Sequence, residues 1–166
     1  MKENRPKLRI VLNARDKIFE ISGWILVPLI WIFAIYYFLK LPQIIPTHFN
    51  SDGIADNFGN KTSLFIIPII TTVLFTALSF LNKFPHLFNY RNEITPENAL
   101  RQYTSATRLI RYLKNMITLI FGIILTDFVG NIYNQSVIPS VLVLPVILLL
   151  LILPVLFMLF KNLNNE

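Results

Sequence analysis

The chain has no cysteine, which excludes disulfides, thiolate metal sites and cysteine nucleophiles in one step. Its 166 residues include only two histidines, His48 and His86, little material for a metal cage. Charge is scarce as well: Asp, Glu, Lys and Arg make up 14% of the chain, where a soluble domain carries about 25%. Apolar residues fill the gap, at 54%, with fourteen Phe. That balance describes a membrane protein, and ten prolines against five glycines suit bent spanning helices. There is no internal repeat, no low-complexity tract and no linker long enough to separate two domains.

A spanning helix needs about 20 mostly apolar residues to cross a hydrocarbon core ~30 Å thick. Four segments meet this or come near it. Residues 22–39 and 62–81 are uncharged, about 114–133 carries Asp127, and 137–160 is uncharged throughout. The first run is too long and starts too late for a cleaved signal peptide, so it is read as a retained anchor. The expected fold is an all-α membrane protein, a single integral domain over 1–166 with four transmembrane helices and interfacial helices on the cytoplasmic side.

Lys and Arg set the orientation. Of the fifteen, thirteen fall before the first span, between the second and third, or after the fourth, and two fall between the first and second. The positive-inside rule then places both termini in the cytoplasm of a multi-pass cell-membrane protein. It leaves residues 40–61 outside. The excess of six positive charges reads as topology and not as direct nucleic-acid binding.

Two cytoplasmic helices are expected. Over 95–113, Thr95 suits an N-cap, Pro96 the first helical position and Glu97 the positive end of the dipole. Leu100, Tyr103, Thr107, Ile110 and Leu113 recur at helical spacing, with Arg101, Arg108 and Arg111 on other faces. Residues 7–21 read as a second interfacial helix, with Leu8, Val11, Leu12, Ile18 and Phe19 on one side. Such basic surfaces suit anionic lipid or a cytoplasmic regulator, although arginines that only obey the positive-inside rule look the same.

The outer stretch Lys40–Lys61 holds most of the chemistry. Pro42 and Pro46 restrict its start and Asp52-Gly53 marks a tight turn. His48, Asp52 and Asp56 are candidate ligands for a divalent metal, or a base with its orienting carboxylate. A surface loop with one His and two Asp is a common arrangement without either role. Phe49 is expected to tuck back between helix ends, and Asp56 and Lys61 to pair above the bundle.

The loop also carries a resemblance. Leu41-Pro42, Ile45-Pro46-Thr47-His48-Phe49-Asn50, Gly53, Asp56, Phe58 and Lys61 follow the pattern L-P-x-x-I-P-x-H-F-N-x-x-G-x-x-D-x-(aromatic)-x-x-K. It resembles a bacterial membrane domain of unknown biochemical function, found in the N-terminal part of SdpI-type immunity proteins. Thr95-Pro96-Glu97-Asn98-Ala99, Arg101-Gln102-Tyr103 and Arg108 are similar to the segment after the second span of such proteins, so the likeness covers about residues 22–112. The resemblance implies immunity against a secreted antimicrobial protein, recognised through Pro42, Pro46, His48, Phe49, Asn50, Gly53, Asp56 and Lys61, with sequestration of a cytoplasmic repressor.

Within the membrane, Asp127 sits late in the third span, and Gly122, Thr126 and Gly130 form a small-residue stripe suited to close helix packing. Asp127 borders that stripe and is expected to face protein, since a carboxylate in lipid is costly. Three functions compete. The leading one is a non-enzymatic immunity or sensing protein that binds an extracytoplasmic toxin or peptide. A metal-assisted hydrolase would use His48, Asp52 and Asp56, and a small transporter or accessory subunit would place Asp127 in its path. Partners are the lipid bilayer, that outer agent and a cytoplasmic regulator; no cofactor is implied.

Overall fold

A computed structural model describes residues 5–50 and 54–135, together with residues 139, 142, 144–152 and 156. It is mostly helical, and among the described residues three helical stretches, Ala14–Lys40, Lys61–Leu81 and Ala99–Ile132, are long and apolar enough to cross a membrane. Helix α1 runs Ala14–Lys40, strands β1 (Ile44–Phe49) and β2 (Ala55–Asn60) form an antiparallel pair, α2 spans Ile66–Leu81 and α3 spans Ala99–Ile132. Half of the expected fourth span, 137–160, lies outside the described residues; residues 142, 144–152 and 156 are helical.

The hairpin corrects the all-α expectation. Ile44, Ile45, Thr47 and Phe49 are β-branched or aromatic, and Pro42 stops α1 from continuing into them. The interfacial helix expected over 7–21 is also corrected. Residues 7–13 are not helical, because α1 starts only at Ala14, where Asn13 closes a capping box with Asp16: the Asp16 N–H donates to Asn13 Oδ1 at 2.8 Å and the Asn13 N–H to Asp16 Oδ2 at 3.2 Å. From there α1 passes unbroken into the apolar run. The helix expected over 95–113 starts at Ala99 and continues into the third span as one helix of 34 residues, about 50 Å long at ~1.5 Å per residue. No proline interrupts 99–132, so nothing separates a surface helix from a spanning one. Its N-cap is Asn98 rather than Thr95. Thr95 lies one turn earlier, where its side-chain hydrogen bond holds the Glu97 carboxyl below the usual carboxylate range.

Two cores form. The larger joins Ile30 and Ala34 of α1, Leu125 and Val129 of α3, Leu41, Leu64 and the hairpin residue Ile45. The smaller lies at the opposite end of α3, where Ile94, Ala99 and Tyr103 pack with Ile10 and Tyr90. Arg5 ties the N-terminal segment into this second cluster. Its guanidinium donates to the carbonyls of His86 and Phe88, at 3.3 and 2.7 Å, and lies 5.5 Å from the Tyr90 ring centre. Burial pushes the Tyr90 phenol above its usual value.

Aromatic and hydroxyl contacts register α1 against α2. Trp31 Nε1–H donates to Thr72 Oγ1 at 2.9 Å, and Trp24 meets Phe75 edge-on at 5.0 Å. Gly23 of α1 is tightly enclosed by α2 and α3. A Cβ there would lie 2.2 Å from Asn115 Oδ1 and 2.5 Å from the Phe75 ring. Gly122, the glycine expected to allow close packing, has room to spare: its added Cβ would meet Ile30 at 3.6 Å, an ordinary contact.

The two glycines should therefore respond oppositely to alanine. Gly23→Ala overpacks the junction and is expected to destabilise by about 1–3 kcal/mol. Gly122→Ala fits and adds helix propensity, so it should be neutral or stabilising by up to ~1 kcal/mol. Thermal unfolding of both variants in detergent checks this, and equal midpoints would refute the assignment of the tight contact.

Candidate functional site

The hairpin is held on its inner side and open on its outer side. Ile45 is fully buried in the larger core, and Phe49 meets Phe128 of α3 edge-on at 6.2 Å. Thr47 lies over Gly59, where an added Cβ would come within 2.9 Å of Thr47 Cγ2, so only glycine leaves that space. Lys61 fastens the base. Its ammonium donates to the Phe38 and Leu41 carbonyls at 3.0 and 3.2 Å and lies 4.6 Å from the Phe38 ring centre. Those carbonyls sit at the negative end of α1, where a cation is favoured. Asn60 caps the 3₁₀ turn that leads into α2, accepting the Thr62 N–H at 2.9 Å.

Asp56 pairs with His48 and not with Lys61 as expected. His48 Nδ1 lies 2.5 Å from Asp56 Oδ1, with the two side chains 65% and 46% exposed. Lys61 is drawn down to the helix end instead, because two otherwise unpaired carbonyls there outcompete an exposed carboxylate. Pro42 ends α1, Pro46 lies within β1, and Asn50 closes the turn, its side chain accepting the Ile54 N–H at 2.9 Å. Asp52 and Gly53 lie outside the described residues. Among the described residues no three His, Asp or Glu side chains form a group that could hold a metal ion.

The strand edges are blunted. The Lys61 N–H donates to the Gln43 carbonyl at 2.9 Å, which makes 43 and 61 a hydrogen-bonded pair. Alternation then turns the backbone nitrogens of Pro46 and Phe58, which are opposite each other, to the outer edges. Pro46 has no N–H to offer, and the Phe58 N–H is taken at 2.8 Å by the Asn57 side chain. Each outer edge thereby lacks one free donor at this level. What remains open is side-chain surface, with Ile44, Ile54 and Phe58 each about 60% exposed.

Asp127 is 9% exposed, on the hairpin half of α3, and its carboxylate accepts from Asn131 Nδ2 at 3.1 Å. The opposite half holds a cluster that the sequence reading did not assemble. Arg108 contacts Asp16 through Nε at 3.0 and 3.2 Å and through Nη2 at 3.2 Å. Arg111 Nε donates to Glu20 at 3.1 Å and its Nη1 lies 3.6 Å from Asp16. Lys114, wholly buried, donates to Glu20 at 2.6 Å and to Ser79 of α2 at 2.9 Å, with Phe75 4.6 Å below. Asn115 Nδ2 donates to the Phe19 carbonyl at 2.6 Å. The signal was present as spacing: 16 and 20 are one turn apart, as are 108, 111 and 114, which makes two facing charged stripes.

Two outcomes follow from this geometry. Lys61→Ala frees two helix-end carbonyls and should cost about 1–3 kcal/mol, whereas His48→Ala breaks an exposed pair worth under ~1 kcal/mol. Glu20→Leu strands Lys114 in the interior and should cost about 3–5 kcal/mol. Chemical or thermal unfolding in detergent measures all three, and a Glu20→Leu protein as stable as the parent would refute the buried ion pair.

The comparisons fall on the hairpin and the helices that flank it. Residues 25–72 match the family model described as a domain of unknown function, DUF1648. An uncharacterized protein of Archaeoglobus fulgidus is 30% identical over 73 residues, covering 39% of this chain. The match spans 40% of the length of that relative. No solved structure matches the chain. From α1 through the hairpin into α2, this chain is thus similar to a domain whose function is unknown.

Proposed function

We propose that this is an integral membrane protein of the immunity or sensing type, which recognises an extracytoplasmic toxin or peptide through the 40–61 hairpin without catalysing a reaction. One observation carries the reading: the hairpin is fixed to the helix ends by Ile45, Phe49 and Lys61 while Ile44, Ile54, Phe58 and the His48–Asp56 pair face outward. A rigid base with an exposed mixed apolar and polar face limits the ordering cost of binding. The blunted edges direct recognition to side chains and away from strand addition. The likeness of the Leu41–Lys61 pattern to SdpI-type proteins supports the same reading.

The proposed topology has four spans, 137–160 being the fourth, with both termini in the cytoplasm and the hairpin outside. A single integral domain over 1–166 then presents the hairpin on one face and the cluster around Tyr90 and Tyr103 to a cytoplasmic regulator on the other. The distribution of thirteen Lys and Arg against two supports this orientation.

Single cysteines test it cleanly in a chain that has none. Ile54→Cys should react with an impermeant thiol reagent in intact cells and Asn92→Cys should not; the reverse pattern would overturn the topology. For recognition, cells expressing the protein are challenged with a panel of secreted antimicrobial peptides. Survival conferred by the parent should be lost with Ile44→Ser/Phe58→Ser at unchanged membrane levels. Equal protection by that variant, or none by the parent, would reject the recognition role.

A further inference from the structure

We propose that Arg15, Lys17, Lys83 and Arg108 form a collar that binds the headgroup phosphates of anionic phospholipids around the charged end of the bundle. The proposal rests on the reading that α1, α2 and α3 span the membrane, and is independent of what the hairpin recognises.

The four cations share one level. Arg108 is bonded to Asp16, which places it beside Arg15 and Lys17 on α1. Asn82, next to Lys83, donates to the Thr107 carbonyl at 3.2 Å, which brings the end of α2 to the same turn of α3. That level also borders the outward apolar stripes of α1 and α2. On α1 the exposed Ile18, Ile21 and Ile25 begin directly after Arg15 and Lys17, and on α2 the exposed Phe80 and Leu81 end just before Lys83. Cations bordering a lipid-facing stripe lie at headgroup depth, with their stems along the apolar surface.

The acids of this region have been drawn inward. Asp16 is 5% exposed and held by Arg108 and Arg111, and Glu20 is held by Arg111 and Lys114. Three cations therefore face two carboxylates, and the cluster keeps one positive charge in excess. Arg111 Nη1 is buried without a hydrogen-bond acceptor among the described residues, although Asp16 lies 3.6 Å away. Of the three cations Arg108 is the one that reaches the surface, at 42% side-chain exposure. Arg15 and Lys17 are exposed beside it and form no ion pair among the described residues. The exposed acids Glu93 and Glu97 precede α3, and from its first residue Ala99 to Arg108 the axis runs about 14 Å. An anion is what this surface lacks, and the bilayer supplies one as phosphate.

The full-length chain in nanodiscs tests this. Discs of phosphatidylcholine alone are compared with discs containing one quarter phosphatidylglycerol, reading the unfolding midpoint and the lipid retained on native mass spectrometry. Phosphatidylglycerol should raise the midpoint and be enriched over phosphatidylcholine. Arg15→Gln/Lys17→Gln/Lys83→Gln should lower that enrichment by about fivefold per cation removed, the equivalent of about 1 kcal/mol each. Arg91→Gln/Arg101→Gln, which removes charge away from the collar, should leave it unchanged. Undiminished enrichment in the triple variant would overturn the proposal, as would an equal loss in the double variant. A midpoint shift reproduced by inorganic phosphate in phosphatidylcholine discs would also overturn it, in favour of a soluble anion. Failure of the parent chain to enter discs would defeat the spanning reading and the collar with it.

Discussion

The ammonium of Lys114 is the constraint on which the arrangement of the helices depends. A wholly buried cation is tolerated only where its partners are already in place. Glu20 supplies the carboxylate from α1, Ser79 a hydroxyl from α2, and the face of Phe75 closes the space below. One side chain of α3 thereby specifies which faces of α1 and α2 turn inward. Gly23 is part of the same junction, since Asn115 and Phe75 occupy the volume that a side chain there would need. Between apolar helices in lipid, polar contacts and close packing set the registry, because burying apolar surface discriminates little between partners.

The opposite end is organised by a second lysine used differently. Lys61 does not pair with a carboxylate but closes the carbonyl end of α1, and Ile45 anchors the hairpin beside it. Each end of the bundle thus carries a lysine that fixes architecture, and each end also exposes charged side chains. At the hairpin these are the exposed His48 and Asp56. At the charged end they are the exposed cations of the collar.

The hairpin shows how an exposed two-stranded element avoids indiscriminate pairing. Pro46 deprives one edge of a donor, and Asn57 occupies the donor on the other. The irregular register after Pro46 twists the strand further. These devices remove two outward donors beside the exposed Ile44, Ile54 and Phe58.

Three of the apolar runs and the position of the polar stretch were legible in the sequence because each depends on local composition: uncharged runs such as 62–81, and prolines in 40–61. The tight contact at Gly23, the His48–Asp56 pairing and the joining of Asp16 and Glu20 to Arg108, Arg111 and Lys114 were decided by tertiary structure. Asp16 and Arg108 are 92 residues apart. No local pattern states which of several helix faces will meet, and the arginines of α3 carry the same signature whether they border a membrane or neutralise buried acids. Asp56 had two candidate partners within a few residues, and Lys61 left it for the helix end because unpaired carbonyls arise only once α1 has formed and stopped. Composition determines that this chain enters a membrane; the mutual satisfaction of buried charges decides how its helices stand there.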